Sequence, residues 1–529
     1  MPQTPSYNSR NLIDLRTFRP VHTYSEIYNH RLELHEIIKM FSPLDLTDTL
    51  SKLSFACARL CKEEKIHDDR KVITRINLAY LSKVATYCCQ IKDGIIGNEK
   101  LFDDVALIFN DHPIQKFSKG DDIKELCEHI VRSSQFMHLN DSYMYTLPRT
   151  MIIYNDLATE FKNVTEIDIH KSFQELTGLS IKEHIYSGLG VLSVFLNGGI
   201  ANLGNLRGQA SKEVIPYLEK FINNNSISVE EFRKNYTEAD ILNPFALNPY
   251  QKFPLLRVSA ENIICPAIPY LWDRVTRGIY HILLEKYSER FTRSLGPIFE
   301  AYVGRMLGQF YSTDQMFKEK IYTKERVEAR STDWIVKEGH WLTMFECKIK
   351  RIRQKATKET GNLEELKKDI EDGVVAGLIQ IDNVIEEIKR KHDQFKEFSD
   401  VNRFIPMILF LDEFDFANSL MMRNFINEVY QTKKGKVFRY QYHILDIEEF
   451  ENLLPTIKIG SGRGLLRSLL QHKEKEQYSS FTDFFYYRFK KGVRVNHFLR
   501  ERFDQNWKEA ISFIFNKDIK DIELPTRKR

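Results

Sequence analysis

Residues 331–350, STDWIVKEGHWLTMFECKIK, predict two short β-strands joined by a tight turn. The first strand is expected over about residues 332–337 and the second over 341–350, with the turn centred on Glu338 and Gly339. Trp, Ile, Val, Thr and Phe suit a pleated surface, and glycine suits the turn. This hairpin predicts that the middle of the chain contains a β-sheet.

Charged side chains converge on one face of this hairpin. Because strand side chains alternate between faces, Glu346 and Lys348 point the same way. A two-residue turn places Asp333 opposite Met344 and diagonal to Glu346, roughly 7–8 Å away at the backbone. Burying such charges is unfavourable unless they pair or bind a metal ion, so the chemistry is expected here.

The composition is that of a globular, non-membrane protein. Of the 529 residues, 42% are hydrophobic and 28% are charged, both ordinary values. No window approaches the roughly 20 apolar residues of a membrane span, and the N-terminus lacks the pattern of a secretory signal. Seven scattered cysteines fit a reducing compartment. We therefore expect a cytoplasmic protein with no membrane partner.

Positive charge is concentrated in two segments. Residues 291–360 hold 14 Lys and Arg against 9 Asp and Glu, and residues 456–529 hold 17 against 9. Clustered cations favour a polyanionic partner such as nucleic acid, although Lys-rich exposed helices explain them equally well. The aromatic residues within 481–503 could stack on bases, but packing of a helix onto the protein is favoured.

The remaining pattern divides the chain into four segments. Apolar residues at helical spacing predict an N-terminal helical domain over residues 1–250, open to a role in homo-oligomers or partner binding, and a helical connector over 251–290. A mixed α/β domain is expected over 291–455 and a basic helical region over 456–529. Cys57 and Cys61 lack zinc-knuckle spacing, so buried structural cysteine is favoured over a zinc site.

The α/β segment shows an alternation of helices and strands. Pro297 is expected to start a helix that carries Glu300, because proline suits the first helical position. A long helix containing Gln380 is expected over about residues 363–397, with apolar strands over 403–410 and 437–445. Helices between apolar strands predict a mixed central sheet that helices flank.

The acidic residues of the hairpin have the chemistry of a divalent-metal site. Carboxylate oxygens of Asp333 and Glu346 are ligands that Mg²⁺ prefers, and a metal so held can accept phosphate oxygens. The metal neutralises phosphodiester charge and lowers the pKa of an attacking water. Lys348 can stabilise the developing negative charge. A structural salt-bridge cluster is the alternative interpretation.

These residues resemble the PD-(D/E)xK nuclease superfamily, also called the restriction-endonuclease-like fold. The matching motifs are Glu300 in GPIFEAYV, Asp333 in STDWIV and Glu346-Cys347-Lys348 in MFECKIK, with twelve residues between Asp333 and Glu346. The resemblance implies a restriction-endonuclease-like core in which Asp333 and Glu346, joined by Glu300 and the Cys347 carbonyl, hold Mg²⁺ or Mn²⁺. It also implies that Lys348 is the catalytic lysine and that Glu300 is a further catalytic acid.

The expected function is metal-dependent hydrolysis of phosphodiester bonds in DNA. The flanking helical regions look like those of prokaryotic restriction or anti-phage nucleases. Two alternatives stay open: a catalytically inactive nucleic-acid-binding or assembly protein with the same fold, and an RNA-cleaving nuclease. The residues expected to contact nucleic acid are Lys350, Arg351, Arg353, Lys355 and Gln380.

Overall fold

The structure is a computed structural model, and its described residues form two compact units, each discontinuous in sequence. The described residues of one unit lie within the ranges Met1–Leu126, Lys171–Ile282 and Gln505–Arg529, and those of the other within Cys127–His170 and Leu283–Asp504. The described residues within them are 44–62, 75–89, 143–237, 240–241, 248–324, 326–349, 363–412, 418, 420–457 and 495–522.

Helix is the commonest secondary structure of the described chain, as the sequence predicts. Single π-helical turns connect α3 to α4 and α13 to α14, and short 3₁₀ turns cover Asp393–Phe398 and Ile519–Asp521. The α-helices are α1 Leu46–Lys62, α2 Arg75–Cys88, α3 Tyr143–Thr150, α4 Ala158–Phe161, α5 Ile169–Thr177, α6 Ile181–Phe195, α7 Leu203–Gln209, α8 Ile215–Asn224, α9 Val229–Asn235, α10 Pro249–Lys252, α11 Ile268–Val275, α12 Gly278–Leu307, α13 Leu363–Ile370, α14 Ala376–Lys389, α15 Leu420–Lys434, α16 Ile447–Ile457 and α17 His497–Phe515.

The first unit contains a small sheet that helical periodicity does not predict. Its strands are three residues long, too short for a period of two to be recognised in the sequence. Helix α6 begins with a capping box between Ser180 and Glu183, which satisfies two backbone N–H groups at the helix start. The sheet has the order β1-β4-β3-β2, with strands β1 Ile200–Asn202, β2 Ser226–Ser228, β3 Leu255–Arg257 and β4 Asn262–Ile264.

The second unit is built on a mixed five-stranded sheet, which confirms the coarse fold prediction. The order is β11-β10-β9-β8-β5; β5, β8 and β9 pair antiparallel, whereas β9, β10 and β11 pair parallel. A separate hairpin, β6–β7, is inserted between β5 and β8. The strands are β5 Met316–Lys318, β6 Ile321–Lys324, β7 Val327–Arg330, β8 Trp334–Glu338, β9 Trp341–Lys348, β10 Arg403–Phe410 and β11 His443–Asp446.

Helix α14 covers one face of this sheet. A parallel pair such as β9 and β10 needs a crossover connection, and the α13–α14 helix lies in that connection. Leu378, Ile381 and Ile385 on α14 belong to the same buried apolar cluster as Met344 on β9 and Ile408 on β10. Burial of this apolar stripe, at about 25 cal/mol per Å² of area removed from water, holds the helix on the strands that carry the acidic residues.

The hairpin register differs from the predicted one. Glu338 pairs with Trp341, so the two-residue turn is Gly339-His340, and Ile335 pairs with Met344. Gly339 has φ +60°, which glycine adopts without strain. Each residue therefore pairs with a residue two positions away from its predicted partner. A shift of two preserves the face of every side chain, so the predicted shared face of the charged residues is retained.

Three other predicted boundaries are wrong. The long helix expected over about residues 363–397 contains a π-helical segment at Glu371–Val375 and ends at Lys389. Helix α12 runs through Pro297 instead of starting there, and its break lies at Ser288, which has φ +47° and ψ −122°. The predicted strand over 437–445 is reduced to His443–Asp446, because only these residues pair with β10. The aromatic rings of Phe438 and Tyr442, which precede this strand in the chain, pack edge to face instead. Within the described ranges, no helix has the length and apolar character needed to cross a membrane.

Candidate active site

Strand β9 carries the Glu-x-Lys pair at its C-terminal end. The Lys348 ammonium donates a hydrogen bond to Glu346 Oε1 at 2.8 Å. The Glu346 side chain is buried, whereas Lys348 is partly exposed, so the lysine lies on the solvent side of the pair. The alternation of a β-strand thus brings the two charged groups together as the sequence predicts.

Asp333 is held between two strands. Its Oδ2 accepts the Cys347 N–H of β9 at 2.6 Å, and its backbone carbonyl accepts the Glu319 N–H at 2.9 Å. The carboxylate is therefore fixed beside the Glu346–Lys348 end of the hairpin. Burial raises the pKa of the Cys347 thiol well above its usual range. A neutral thiol is a poor metal ligand, so Cys347 has only its predicted carbonyl to offer.

Helix α12 is fastened to the sheet next to Glu300. The Trp334 indole Nε1–H donates to the Glu300 backbone carbonyl at 2.8 Å. Gly304, one turn further along, leaves room for the indole ring, because a Cβ there would lie 2.0 Å from Trp334 Cζ2. The helix-borne acid is thereby kept close to the other two, since the charge of Asp333 raises the pKa of Glu300 and the charge of Glu300 raises the pKa of Glu346.

The pKa values of the three carboxyl groups are all raised. Burial, followed by the charge of Asp333, raises the pKa of Glu346 to about 8 and that of Glu300 to about 7. Burial also raises the pKa of Asp333. Burial lowers the pKa of Lys348, but Glu346 and Asp333 more than offset this and leave it raised. The site is thus short of positive charge, and neutral pH falls inside its titration range.

A buried carboxylate oxygen of Glu346 lacks a partner. Its Oε2 has no hydrogen bond among the described residues, and an ionised oxygen left so is unfavourable. In the part of the chain that the structure describes, no three His, Cys, Asp or Glu side chains form a ready-made metal cage. Mg²⁺ does not need one, because it binds through one or two carboxylates plus water and substrate phosphate. Glu346 and Asp333 therefore fit a hard divalent cation.

Helix α14 leaves space for the side chains of Glu346 and Lys348. A Cβ on Gly377 would lie 3.1 Å from Glu346 Cγ and 3.4 Å from Lys348 Cε. One turn later, the Gln380 amide donates to the Ser331 carbonyl at 2.7 Å. Gln380 thus supports the segment that leads into Asp333, and its predicted contact with nucleic acid stays a prediction. Lys350, Arg351, Arg353 and Lys355 lie outside the described residues.

Two charged residues near the site are not found by sequence reasoning. Glu319 contributes to the raised pKa values of Glu300 and Asp333, and Arg330 lowers the pKa of Glu300. Glu319 follows β5 and Arg330 ends β7, so they flank the inserted hairpin. They meet at 3.3 Å only because the hairpin folds back on itself. No local sequence signal predicts that closure.

Comparisons of the chain with protein-family models, with curated proteins and with solved structures find no match. The function is therefore inferred from the geometry and electrostatics of the site.

We expect the stability of the metal-free protein to fall as pH rises from 6 to 9. In the folded protein, the pKa values of Glu300 and Glu346 are raised above the usual 4.5 to about 7 and about 8. Their contribution to stability is therefore fully present below pH 4.5 and is lost as the pH rises through these folded-state values. Mg²⁺ should oppose the loss, because it binds the ionised carboxylates. Urea unfolding in EDTA and in Mg²⁺ at both pH values measures this.

The control for this prediction is Glu346→Gln, which removes the carboxyl group whose pKa is raised to about 8. Its stability in EDTA should change less with pH than that of the wild type, and Mg²⁺ should stabilise it less. A wild-type protein whose unfolding responds neither to pH in this range nor to Mg²⁺ would contradict the assignment of these carboxylates.

Proposed function

We propose that this protein is a divalent-metal-dependent nuclease that hydrolyses phosphodiester bonds, with DNA as its substrate and a PD-(D/E)xK, restriction-endonuclease-like catalytic core. The observation that carries the proposal is the buried Glu346 carboxylate, with one oxygen on Lys348 and the other without a partner among the described residues, beside Asp333. The mixed sheet with its antiparallel hairpin and parallel crossover supports the same class of core.

Each acidic residue has a distinct role in this proposal. Asp333 and Glu346, with the Cys347 carbonyl, would hold Mg²⁺ or Mn²⁺, which when bound supplies charge neutralisation and a more acidic water. Asp333 is already oriented by the Cys347 N–H. The pKa of Glu300, about 7, suits a group that accepts or returns a proton near neutral pH at its carboxylate oxygens.

Lys348 is the proposed catalytic cation. Its pKa is raised by Glu346 and Asp333, against the opposing effect of burial, so the ammonium keeps its proton throughout the working pH range. Being partly exposed, it can reach a phosphate oxygen and stabilise the charge that develops during hydrolysis. A fixed cation in a partly dehydrated site acts more strongly than one in bulk water.

The direct test is a panel of plasmid, linear duplex DNA, single-stranded DNA and RNA, each with Mg²⁺, Mn²⁺ or EDTA. We expect metal-dependent DNA cleavage by the wild type and a loss of at least about 10²-fold in Asp333→Ala, because the charge-stabilising arrangement is broken. Asp393→Ala is the matched control, since Asp393 is an exposed aspartate paired with Lys396 in the same unit. That variant should retain wild-type activity.

The outcomes separate the alternatives. Cleavage of RNA alone would replace DNA as the substrate and keep the mechanism. Binding of nucleic acid with no product in either metal would overturn the nuclease proposal in favour of a binding or assembly protein. Equal cleavage by wild type and Asp333→Ala would remove this site from the reaction.

A further inference from the structure

The inserted β6–β7 hairpin is tied to the strand end that carries Asp333. The Ser331 N–H donates to the Lys320 carbonyl at 2.8 Å, and the Lys320 N–H donates to Ser331 Oγ at 2.8 Å. The next bond along, from the Glu319 N–H to the Asp333 carbonyl, closes the base of the hairpin. Residues at this base therefore keep a fixed position relative to the catalytic carboxylates.

Arg330 lies at that base with its guanidinium largely in solvent. Its side chain is 65% exposed and contacts Glu319 at 3.3 Å. An exposed ion pair of this kind contributes only about 0–1 kcal/mol, so little opposes its exchange for another anion. A guanidinium can bind a phosphate through two parallel N–H donors. The Glu319 carboxylate contacts Arg330 through one nitrogen, at 3.3 Å, and so does not use this bidentate geometry.

A site with three carboxylates needs cations at its rim to bind a polyanion. Glu300, Asp333 and Glu346 repel phosphate, and Lys348 is already paired with Glu346. Arg330 is close enough to Glu300 to stabilise its carboxylate. Among the described residues at the site, it is the cation whose partner is most easily exchanged, because that pair is the exposed one.

We propose that Arg330 binds a phosphate of the nucleic-acid backbone next to the scissile bond, and that Glu319 competes with this phosphate for the guanidinium. The inference depends on the proposed nuclease function and adds a substrate-binding residue to it. Glu319 then lowers the affinity for substrate. Its carboxylate contacts the Arg330 guanidinium in the free protein and is displaced by the substrate phosphate. The assignment predicts opposite effects for the two partners.

The test uses full-length protein, Mg²⁺ and a labelled DNA substrate chosen from the panel that the wild type cleaves. Arg330→Ala should raise KM about tenfold with kcat within about twofold, and should make the slope of log KM against log salt shallower by about one. Glu319→Gln should lower KM about threefold. In the double variant, KM should be close to that of Arg330→Ala, because the proposed competition for the guanidinium cannot occur without Arg330.

Arg390→Ala is the matched control for loss of one positive charge. Arg390 is 61% exposed and paired with Glu387, and it lies ten residues beyond Gln380 at the end of α14, roughly 15 Å along the helix axis. Its KM should stay within about twofold of the wild-type value. Thermal unfolding of every variant checks that the fold is kept.

The possible failures are distinguishable. If the wild type cleaves and Arg330→Ala has an unchanged KM, the role of Arg330 is refuted while the nuclease proposal stands. If Glu319→Gln lowers kcat and increases the Mg²⁺ concentration required, Glu319 serves the metal and the competition is refuted. If the wild type cleaves nothing in the panel, the nuclease proposal fails and this inference fails with it.

Discussion

Replacing Lys348 by alanine is expected to lower metal-dependent cleavage by about 10²–10³-fold, the loss typical of removing one charge-stabilising donor. The ammonium lies 2.8 Å from Glu346 Oε1 and stays protonated because Glu346 and Asp333 raise its pKa. Its effect should appear in kcat, since the charge it stabilises develops only in the transition state. Single-turnover cleavage at saturating Mg²⁺ measures this loss.

A second lysine of the same sheet provides the control. Lys337 on β8 donates to Asp400 Oδ1 at 2.7 Å and is 24% exposed, against 21% for Lys348, but it lies at the turn end of the hairpin. Lys337→Ala should cleave at the wild-type rate. Lys348→Ala should still bind Mn²⁺, because the carboxylates remain. A Lys348→Ala variant with wild-type kcat would refute the proposed catalytic role of Lys348.

Glu451→Ala is expected to lower the free energy of unfolding by about 3–5 kcal/mol, the usual effect of breaking a buried ion pair. Arg149 Nε and Nη2 donate to the two Glu451 oxygens at 2.8 and 2.7 Å, and both side chains are buried. The Tyr302 hydroxyl donates to the same carboxylate from helix α12. Removing Glu451 leaves the Arg149 guanidinium buried without its bidentate partner. Urea unfolding at pH 7 measures the loss.

An exposed ion pair between helices α12 and α4 is the comparison. Arg305 contacts Glu160 at 2.7 Å, but both side chains are solvent-accessible, so Glu160→Ala should change stability by less than about 1 kcal/mol. The double variant Arg149→Met/Glu451→Leu should recover part of the loss, because it removes the buried charge altogether. Similar losses of unfolding free energy in Glu451→Ala and Glu160→Ala would show that burial does not determine how much the Arg149–Glu451 pair contributes to stability.

The β8–β9 hairpin shows what the local sequence pattern predicts correctly and what it does not. The alternation of side chains predicts that Glu346 and Lys348 share a face, and the structure confirms it with a direct bond. The turn position is predicted one residue too early, because Gly339 suits either place in a two-residue turn. The error changes partners by two positions and leaves the faces unchanged, so the site prediction is unaffected by it.

Long-range contacts explain what the pattern misses. Proline predicts a helix start at Pro297, yet α12 continues through it, although proline has no N–H for the backbone hydrogen bonding of a helix interior. Glu319 and Arg330 are eleven residues apart in the chain, and the inserted hairpin brings their side chains together. Neither position has a composition or spacing that would distinguish it from ordinary surface charge.

The sequence by itself determined the mixed sheet with flanking helices, the strand that carries Glu346 and Lys348, and the face that these residues share with Asp333. These are properties of neighbouring residues, and the period of a strand decides them. Only the tertiary structure decided that Glu346 is buried, that Glu300 reaches the same site through the Trp334–Gly304 contact, and that Gly377 leaves room for Glu346 and Lys348. Burial and charge proximity depend on segments distant in the chain, and they are what move the carboxyl pKa values towards neutral pH.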